Sequence, residues 1–192
     1  MVWLNHFLLA FIPLMVAIDP VGLVPVYLSL ASNVDARAKR DAILQAGATA
    51  LTVGVSFMFL GQLIFQALGI TVGDFRIAGG LILLAIAMQD LVAHDTQSRV
   101  ATKDFGVVPL GLPLIAGPGM LTTLLTQVQT VRAWITFLAL MANIIVVLVA
   151  LRSSGLLARL VGVTAMRAVS RIVALLLAAI AINLIRTGWR SP

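Results

Sequence analysis

The sequence predicts an all-α membrane protein whose six transmembrane helices form a 3+3 inverted repeat, with discontinuous first and fourth helices. Three observations predict this fold class. The chain is 61% hydrophobic and 10% charged, with a mean hydropathy of +1.10, far from the balance of a soluble domain. Apolar runs long enough to cross a bilayer core of ~30 Å recur along the whole chain. Proline–glycine clusters interrupt the first and the fourth of these runs.

The predicted spans account for nearly all of the 192 residues, so residues 1–192 form a single integral membrane domain. The first span is not predicted to be a cleaved signal peptide, because no Lys or Arg precedes it and its apolar stretch is too long. Repeat one comprises 1–95 and repeat two 105–192. The six spans cover approximately 3–31, 42–67, 75–92, 107–129, 134–151 and 169–187.

The first span carries an acid and a helix breaker in its middle, within "LMVAIDPVGLVPVYLSL". A charge at this depth costs ~2.5–3.5 kcal/mol on insertion scales, so Asp19 needs a structural or functional reason. Pro20 lacks an N–H and frees backbone groups, and Gly22 follows it. Two interpretations stay open together. Asp19 either caps the half-helix that begins at Pro20, or it contacts a cationic ligand or carries a proton.

The second and third spans are rich in small residues, as in "QAGATALTVG" and "IAGG", which is typical of close helix contacts. Gln45, Asn143 and Asn183 are polar residues inside predicted spans. Each is a candidate for lining a cavity, with hydrogen bonding between helices as the alternative. Asp74 lies at the start of the third span, where capping explains it.

The fourth span breaks at "LIAGPGM", which places Ala116, Gly117, Pro118 and Gly119 at mid-span. Glycines leave the backbone bare for the close approach of a ligand. The free N–H groups where a half-helix begins form an anion site, and the free carbonyls where one ends favour a cation. Because unpaired backbone is tolerated in a bilayer only where protein or water surrounds it, we expect the two breaks to face each other across an internal cavity.

An internal repeat relates the two halves. "RIAGGLILLAIAMQ" in the third span resembles "RIVALLLAAIAIN" in the sixth, and "FIPLMVAIDPVG" resembles "VVPLGLPLIAGPG". With three spans in each half, the second copy is inverted relative to the first. Paired broken helices in inverted repeats mark the substrate site of many secondary transporters.

The net charge of +6 reflects membrane topology rather than nucleic-acid binding. Six spans place thirteen basic residues on two sides, and the richer side is expected in the cytoplasm. Both termini are therefore predicted outside the cytoplasm of an inner-membrane protein. The richer side holds Arg37, Lys39, Arg40, Arg99, Lys103, Arg152, Arg159, Arg167 and Arg171, and the other holds Arg76, Arg132, Arg186 and Arg190.

The chain has no cysteine and neither histidine has a metal-like spacing, so the sequence predicts no metal site and no cofactor. Nothing resembles a nucleotide-binding phosphate loop, so transport energy would come from an ion gradient. Intramembrane proteolysis by paired aspartates is disfavoured, because no second mid-span acid accompanies Asp19. The chain is therefore not predicted to be an enzyme.

The motifs "IDPVGLVPVYLSLASN", "GITVGDFRIAGGLILLAIAM", "VPLGLPLIAGPGML" and "SSGLLARLVGVTAMRAVSRI" resemble those of the MarC family of membrane proteins, in order and over nearly the whole chain. The resemblance implies a 3+3 inverted repeat and, for some members, transport of glycine or alanine with a cation gradient. Asp19, Pro20 and Gly22 match the first-helix motif, and Ala116 to Gly119 match the fourth-helix motif. The family admits Asp or Asn at the first position.

The resulting expectation is a secondary transporter of small neutral amino acids driven by a proton or cation gradient. The first break would receive the ammonium group or the coupling ion, and the second the carboxylate. A broader small-solute or drug efflux carrier and a non-transporting regulatory membrane protein are the alternatives. The expected partners are the amino acid, the coupling ion and the bilayer, with no nucleic acid. The sequence does not determine the oligomeric state.

Overall fold

A computed structural model of the chain describes residues 2–31, 34–92 and 105–190. Within these ranges the chain is helical apart from short connections, and it contains no strand. Arg99 and Lys103, which entered the predicted charge balance, lie outside the described residues. The elements are α1 (Val2–Ile18), α2 (Pro20–Leu30), α3 (Ala36–Leu68), α4 (Val72–Val92), a wide irregular segment (Gly106–Ile115), α5 (Pro118–Thr130) and α6 (Ala133–Trp189).

Both predicted helix breaks are present. α1 and α2 are bent by 41° around Asp19, and the wide segment and α5 are bent by 54° around the Ala116–Gly117 pair. By length and composition the described helices provide two membrane spans, or four if each bent pair is one span. These are α3, the Ala133–Gly155 part of α6 and the two bent pairs. The other two predicted spans, 75–92 and 169–187, fall in α4 and in the C-terminal part of α6.

The surface of the described helices is apolar, as expected for contact with lipid tails. Leu4 is 61% exposed, Val16 74% and Phe59 69%, although all three are large hydrophobic side chains. In water a surface of this kind would drive aggregation. In a bilayer it has the same polarity as its surroundings, so no hydrophobic penalty arises.

The core lies between α1, α2, α3, the wide segment, α5 and the first part of α6. Leucine side chains of α6 pack against glycines on the buried face of α3. A Cβ at Gly47 would lie 2.8 Å from Leu148 Cδ2, and one at Gly54 would lie 3.0 Å from Leu140 Cδ2. As the residue numbers rise along α3, the numbers of the contacting residues on α6 fall, so the two helices run antiparallel.

The last part of α6 packs in the same antiparallel sense along α4. A Cβ at Gly80 would lie 2.8 Å from the Ala181 carbonyl oxygen, and one at Gly188 would lie 2.6 Å from the Gly73 carbonyl oxygen. These backbone contacts require glycine, because an added methyl group would overlap main-chain atoms. The small residues of "IAGG" thus serve helix packing, as the sequence predicts.

Both ends of α6 lie at the same end of the bundle. A short connection joins α3 to α4, so the start of α6 beside α3 and its end beside α4 are neighbours. A straight helix of 57 residues would be about 85 Å long and could not meet both helices there. The path of α6 therefore changes direction between Leu148, which packs on α3, and Ala181, which packs on α4, and no proline lies between them.

Candidate functional site at the two helix breaks

Asp19 forms the first break and caps the half-helix that follows it. It has a left-handed backbone (φ 49°, ψ 68°), and it is the single non-glycine residue with positive φ in the described part of the chain. The Gly22 N–H donates to Asp19 Oδ1 at 3.1 Å, and Pro20 occupies the first helical position of α2. Asp19 is exposed and Pro20 is buried. The capping interpretation is confirmed, and direct contact of Asp19 with a ligand stays a prediction.

The break also frees carbonyl groups at the end of α1. The Asp19 N–H donates to the Met15 carbonyl at 3.0 Å, so the α1 ladder continues up to the break itself. The Val16 carbonyl has no helical donor, because Pro20, four residues on, has no N–H. The Ala17 and Ile18 carbonyls also belong to the last turn, where acceptors outnumber helical donors. The end of α1 therefore presents carbonyl oxygen atoms of its last turn and the negative end of a helix dipole.

The second break begins in the wide segment. Its Ala116 N–H donates to the Gly111 carbonyl at 2.9 Å, five residues back instead of four. Pro109 and Pro113 interrupt the ordinary ladder, and Val108 and Leu112 have extended backbone angles. A Cβ on Gly117 would lie 2.5 Å from the Pro113 carbonyl oxygen, so this turn has space for glycine alone.

α5 begins at this break with its first turn uncapped by any side chain. Its N-cap is Gly117 and its first helical residue is Pro118, both buried, and Ala116 before them is 1% exposed. Gly119 is half-buried. The first N–H groups of a helix have no intrahelical acceptor, and they carry the positive end of the dipole. This end of α5 can therefore bind an anionic group.

The two breaks meet in the structure. A Cβ on Gly119 would lie 3.5 Å from the Ala17 carbonyl oxygen and 4.0 Å from Ala17 Cβ. The last turn of α1 and the first turn of α5 are thus in contact, and their helix ends have opposite partial charges. Gly79 of α4 packs on the ring of Pro118, the first helical residue of α5. The two breaks therefore face each other as expected, and the internal cavity expected between them stays a prediction.

Two threonines near the second break were not among the site residues predicted from the sequence. Thr122 Oγ1 and Thr123 Oγ1 both donate to the Gly119 carbonyl, at 3.2 Å and 2.8 Å. The sequence does contain a signal for them. Both threonines follow Gly119 by three or four residues, and residues so spaced share a helix face. These hydrogen bonds fix the two threonine hydroxyl groups beside the second break, on the α5 side.

The three predicted cavity-lining residues have different positions. Asn143 is fully buried, and its Nδ2 donates to the Phe11 carbonyl of α1 at 3.2 Å and to Ala139 at 2.9 Å. It joins two helices, which was the alternative role considered for it. Gln45 and Asn183 instead lie on exposed helix faces, and Asn183 Oδ1 accepts a hydrogen bond from Arg186. Gln45 is exposed because it is out of phase with the buried stripe of α3.

The described residues form helices with an apolar surface, and two interrupted helices are in contact, as in an integral membrane protein. The chain belongs to the MarC family of integral membrane proteins, whose family model matches residues 4–191. It is 33% identical to the UPF0056 membrane protein YhcE of Escherichia coli, over 93% of this chain and 89% of that protein. A UPF0056 membrane protein of Methanocaldococcus jannaschii is 32% identical over 96% and 87% of the two chains.

The UPF0056 membrane protein YvbG of Bacillus subtilis is 28% identical over 94% of this chain and 92% of that protein. The names of these relatives describe membrane proteins and state no activity. No solved structure matches this chain.

Proposed function

We propose that this protein is a secondary transporter of small neutral amino acids of the glycine and alanine class, driven by a proton or cation gradient. The observation that carries the proposal is the contact between the two helix breaks at Ala17 and Gly119. Broken helices that meet inside a membrane bundle are the substrate sites of secondary transporters with inverted repeats.

The charges at the two breaks match a zwitterion. The end of α1 contributes the carbonyl oxygens of its last turn, and Asp19 adds an exposed carboxylate beside them. This side would receive the substrate ammonium or the coupling ion. The first turn of α5 contributes uncapped N–H groups for the substrate carboxylate. An amino acid has both charges a few ångströms apart, so one substrate can contact both helix ends.

The course of the chain through the bundle supports a 3+3 inverted repeat. α1 and α6 both begin at the end where α3 joins α4, because the Trp3 and Trp134 rings lie 5.0 Å apart. Successive helices then alternate in direction, so the wide segment begins at the opposite end, where Gly106 packs on the Ala42 backbone. The first broken pair and the second therefore enter from opposite ends, as inverted repeats do.

Small side chains around the breaks favour a small substrate. The glycines at 79, 117 and 119 bring the helices together, and the nearby aromatic Tyr27 is 3% exposed and packs on Phe105. A carrier for large drugs would need a wider apolar pocket lined with aromatic rings. We place the protein in the inner membrane with both termini outside the cytoplasm, from the positive-inside bias.

The decisive experiment is counterflow of labelled glycine and alanine in liposomes, with wild type beside Asp19→Asn. Asparagine retains the cap and tolerates the left-handed backbone, so the variant should fold. We expect exchange by both proteins and loss of proton-driven uptake in Asp19→Asn, which makes Asp19 the coupling residue. The matched control is Asp35→Asn, because Asp35 caps α3 through the Ala38 N–H at the bundle end. It should retain both activities.

Other outcomes would change the proposal in defined ways. Loss of both activities in Asp19→Asn alone would place the carboxylate in substrate binding. Absence of exchange in folded wild type, beside an active control carrier, would refute amino-acid transport and favour a regulatory membrane protein. Gly119→Ala tests the anion side, because its Cβ has ordinary van der Waals space at 3.5 Å but would crowd the first-turn N–H groups. It should fold normally and lose exchange.

A further inference from the structure

A cavity of about 260 Å³ lies at the bundle end where α5 joins α6, at the opposite end of α5 from the helix breaks. None of the break residues lines it. Its lining combines two basic side chains, a hydroxyl group, an indole and two aliphatic side chains. These are His6, Arg132, Thr130, Trp3, Val131 and Ile135.

The lining of the cavity carries a positive charge at Arg132. Its lining contains no acidic residue, and Arg132 is exposed. Among the described residues of this bundle end the one carboxylate is Asp74, and it already accepts hydrogen bonds from the Thr71 N–H and hydroxyl at 2.7 Å and 2.8 Å. Arg132 also precedes α6, whose first turn has no side-chain cap. The basic groups of the cavity therefore favour an anion from outside the chain.

The surroundings of the cavity indicate a lipid headgroup as the source of that anion. The indoles of Trp3 and Trp134 are 60% and 45% exposed and pack at 5.0 Å. Exposed tryptophans of membrane proteins lie at headgroup level. Leu4 and Leu8 beside them on α1 are exposed and apolar, as required for lipid chains. The volume is below the ~300–1,000 Å³ of pockets that enclose whole drug-sized ligands, which suits a headgroup whose chains remain outside.

We propose that this cavity binds the phosphate group of an anionic membrane lipid, with Arg132 and His6 as its basic contacts. Thr130 only borders the site, because its hydroxyl already donates to the Thr126 carbonyl at 3.1 Å. The bound headgroup joins the start of α1 to the α5–α6 connection. It therefore bridges the two broken helices at the ends far from their breaks. The site does not depend on the proposed transport activity, since it shares no residue with the breaks.

The test uses the tryptophans that flank the cavity. In a Trp189→Phe background the two remaining tryptophans of the chain are Trp3 and Trp134. The protein is reconstituted in phosphatidylcholine vesicles, and quenching is compared for brominated phosphatidylglycerol and brominated phosphatidylcholine. We expect preferential quenching by phosphatidylglycerol. Arg132→Gln should weaken that preference about fivefold, the contribution of one basic residue near an anionic lipid surface. His6→Gln provides a second variant in case Arg132→Gln misfolds.

Arg190→Gln is the matched control, because Arg190 is exposed at the same bundle end but does not line the cavity. It should leave the preference unchanged. Equal quenching by the two lipids in wild type would overturn the proposal. An equal loss in Arg190→Gln and Arg132→Gln would also overturn it, because diffuse surface charge would then explain the preference. If inorganic phosphate displaces the brominated phosphatidylglycerol, the site binds free phosphate and the lipid assignment is wrong.

Discussion

Gly79→Ala is the sharpest test of how the second break is held. A Cβ at this position would overlap Pro118 Cγ, and it would lie 2.9 Å from Pro118 Cδ and 3.2 Å from Pro118 Cβ. Carbon atoms in contact are separated by about 3.5–4.0 Å, so relieving the overlap with Cγ would require α4 and α5 to move apart by roughly 1.5–2 Å. The proline ring cannot rotate away, because it is fixed to the backbone at the first position of α5.

The magnitude follows from two opposing effects. Overpacking costs about 1–3 kcal/mol, while replacing a helical glycine by alanine contributes up to about 1 kcal/mol of stability. Gly155→Ala isolates the second effect, because no atom lies within 4 Å of the added Cβ. We therefore expect Gly79→Ala to be about 2 kcal/mol less stable than Gly155→Ala. For a chain of this length the unfolding midpoints would differ by about 4–8 °C.

Thermal unfolding in detergent, followed by tryptophan fluorescence and size exclusion, measures this difference. The displaced Pro118 also moves the first turn of α5, so amino-acid exchange should fall in Gly79→Ala and persist in Gly155→Ala. A Gly79→Ala midpoint equal to or above that of Gly155→Ala would refute the contact between α4 and the break. It would also remove the reason for a glycine at this position.

Three further predictions concern the first break, the α1–α6 contact and the start of α4. Asp19→Ala loses the cap and strains the left-handed backbone, so its unfolding free energy should be about 2 kcal/mol below that of Asp19→Asn; equal midpoints would contradict the capping geometry. Asn143→Ala loses the bond to the Phe11 carbonyl and should cost at least about 0.6 kcal/mol in bicelle unfolding assays, whereas the exposed Asn183→Ala should stay within about 0.5 kcal/mol of wild type. Hydrogen bonds from the Thr71 backbone and hydroxyl lower the pKa of Asp74, which lies outside the predicted span. The resulting stabilisation is present above the ordinary aspartate pKa and is lost as pH falls through the lower folded value. The protection factors of amides at the start of α4 should therefore fall on acidification below about pH 4 in wild type, and Asp74→Asn should lack this fall.

The helix breaks could be predicted from the sequence because their cause is local. Pro20 and Pro118 have no N–H wherever the chain places them, so each interrupts the helical ladder regardless of its neighbours. Asp before Pro is a local capping signal in the same way, and Asp19 caps α2 as expected. The membrane environment could also be predicted, since an apolar surface of this extent is stable only in lipid.

The orientation of each helix about its axis could not be predicted. In water the apolar stripe of a helix identifies its buried face. In a bilayer the outward face is as apolar as the core, so Gln45, Asn143 and Asn183 gave equivalent signals. Packing alone places Asn143 in the interior and the other two at the surface. The change of direction in α6 could not be predicted either, because no proline lies in that part of the helix.

The sequence by itself determined that the chain is a membrane protein of helices and that two of them are interrupted at Asp19–Pro20 and Gly117–Pro118. These properties depend on composition and on the covalent chemistry of proline. The tertiary structure alone decided that Ala17 meets Gly119, that Gly79 supports Pro118 and that Arg132 shares a cavity with His6. Such pairs are distant in sequence, and close approach between helices depends on which small residues face each other in the packed bundle.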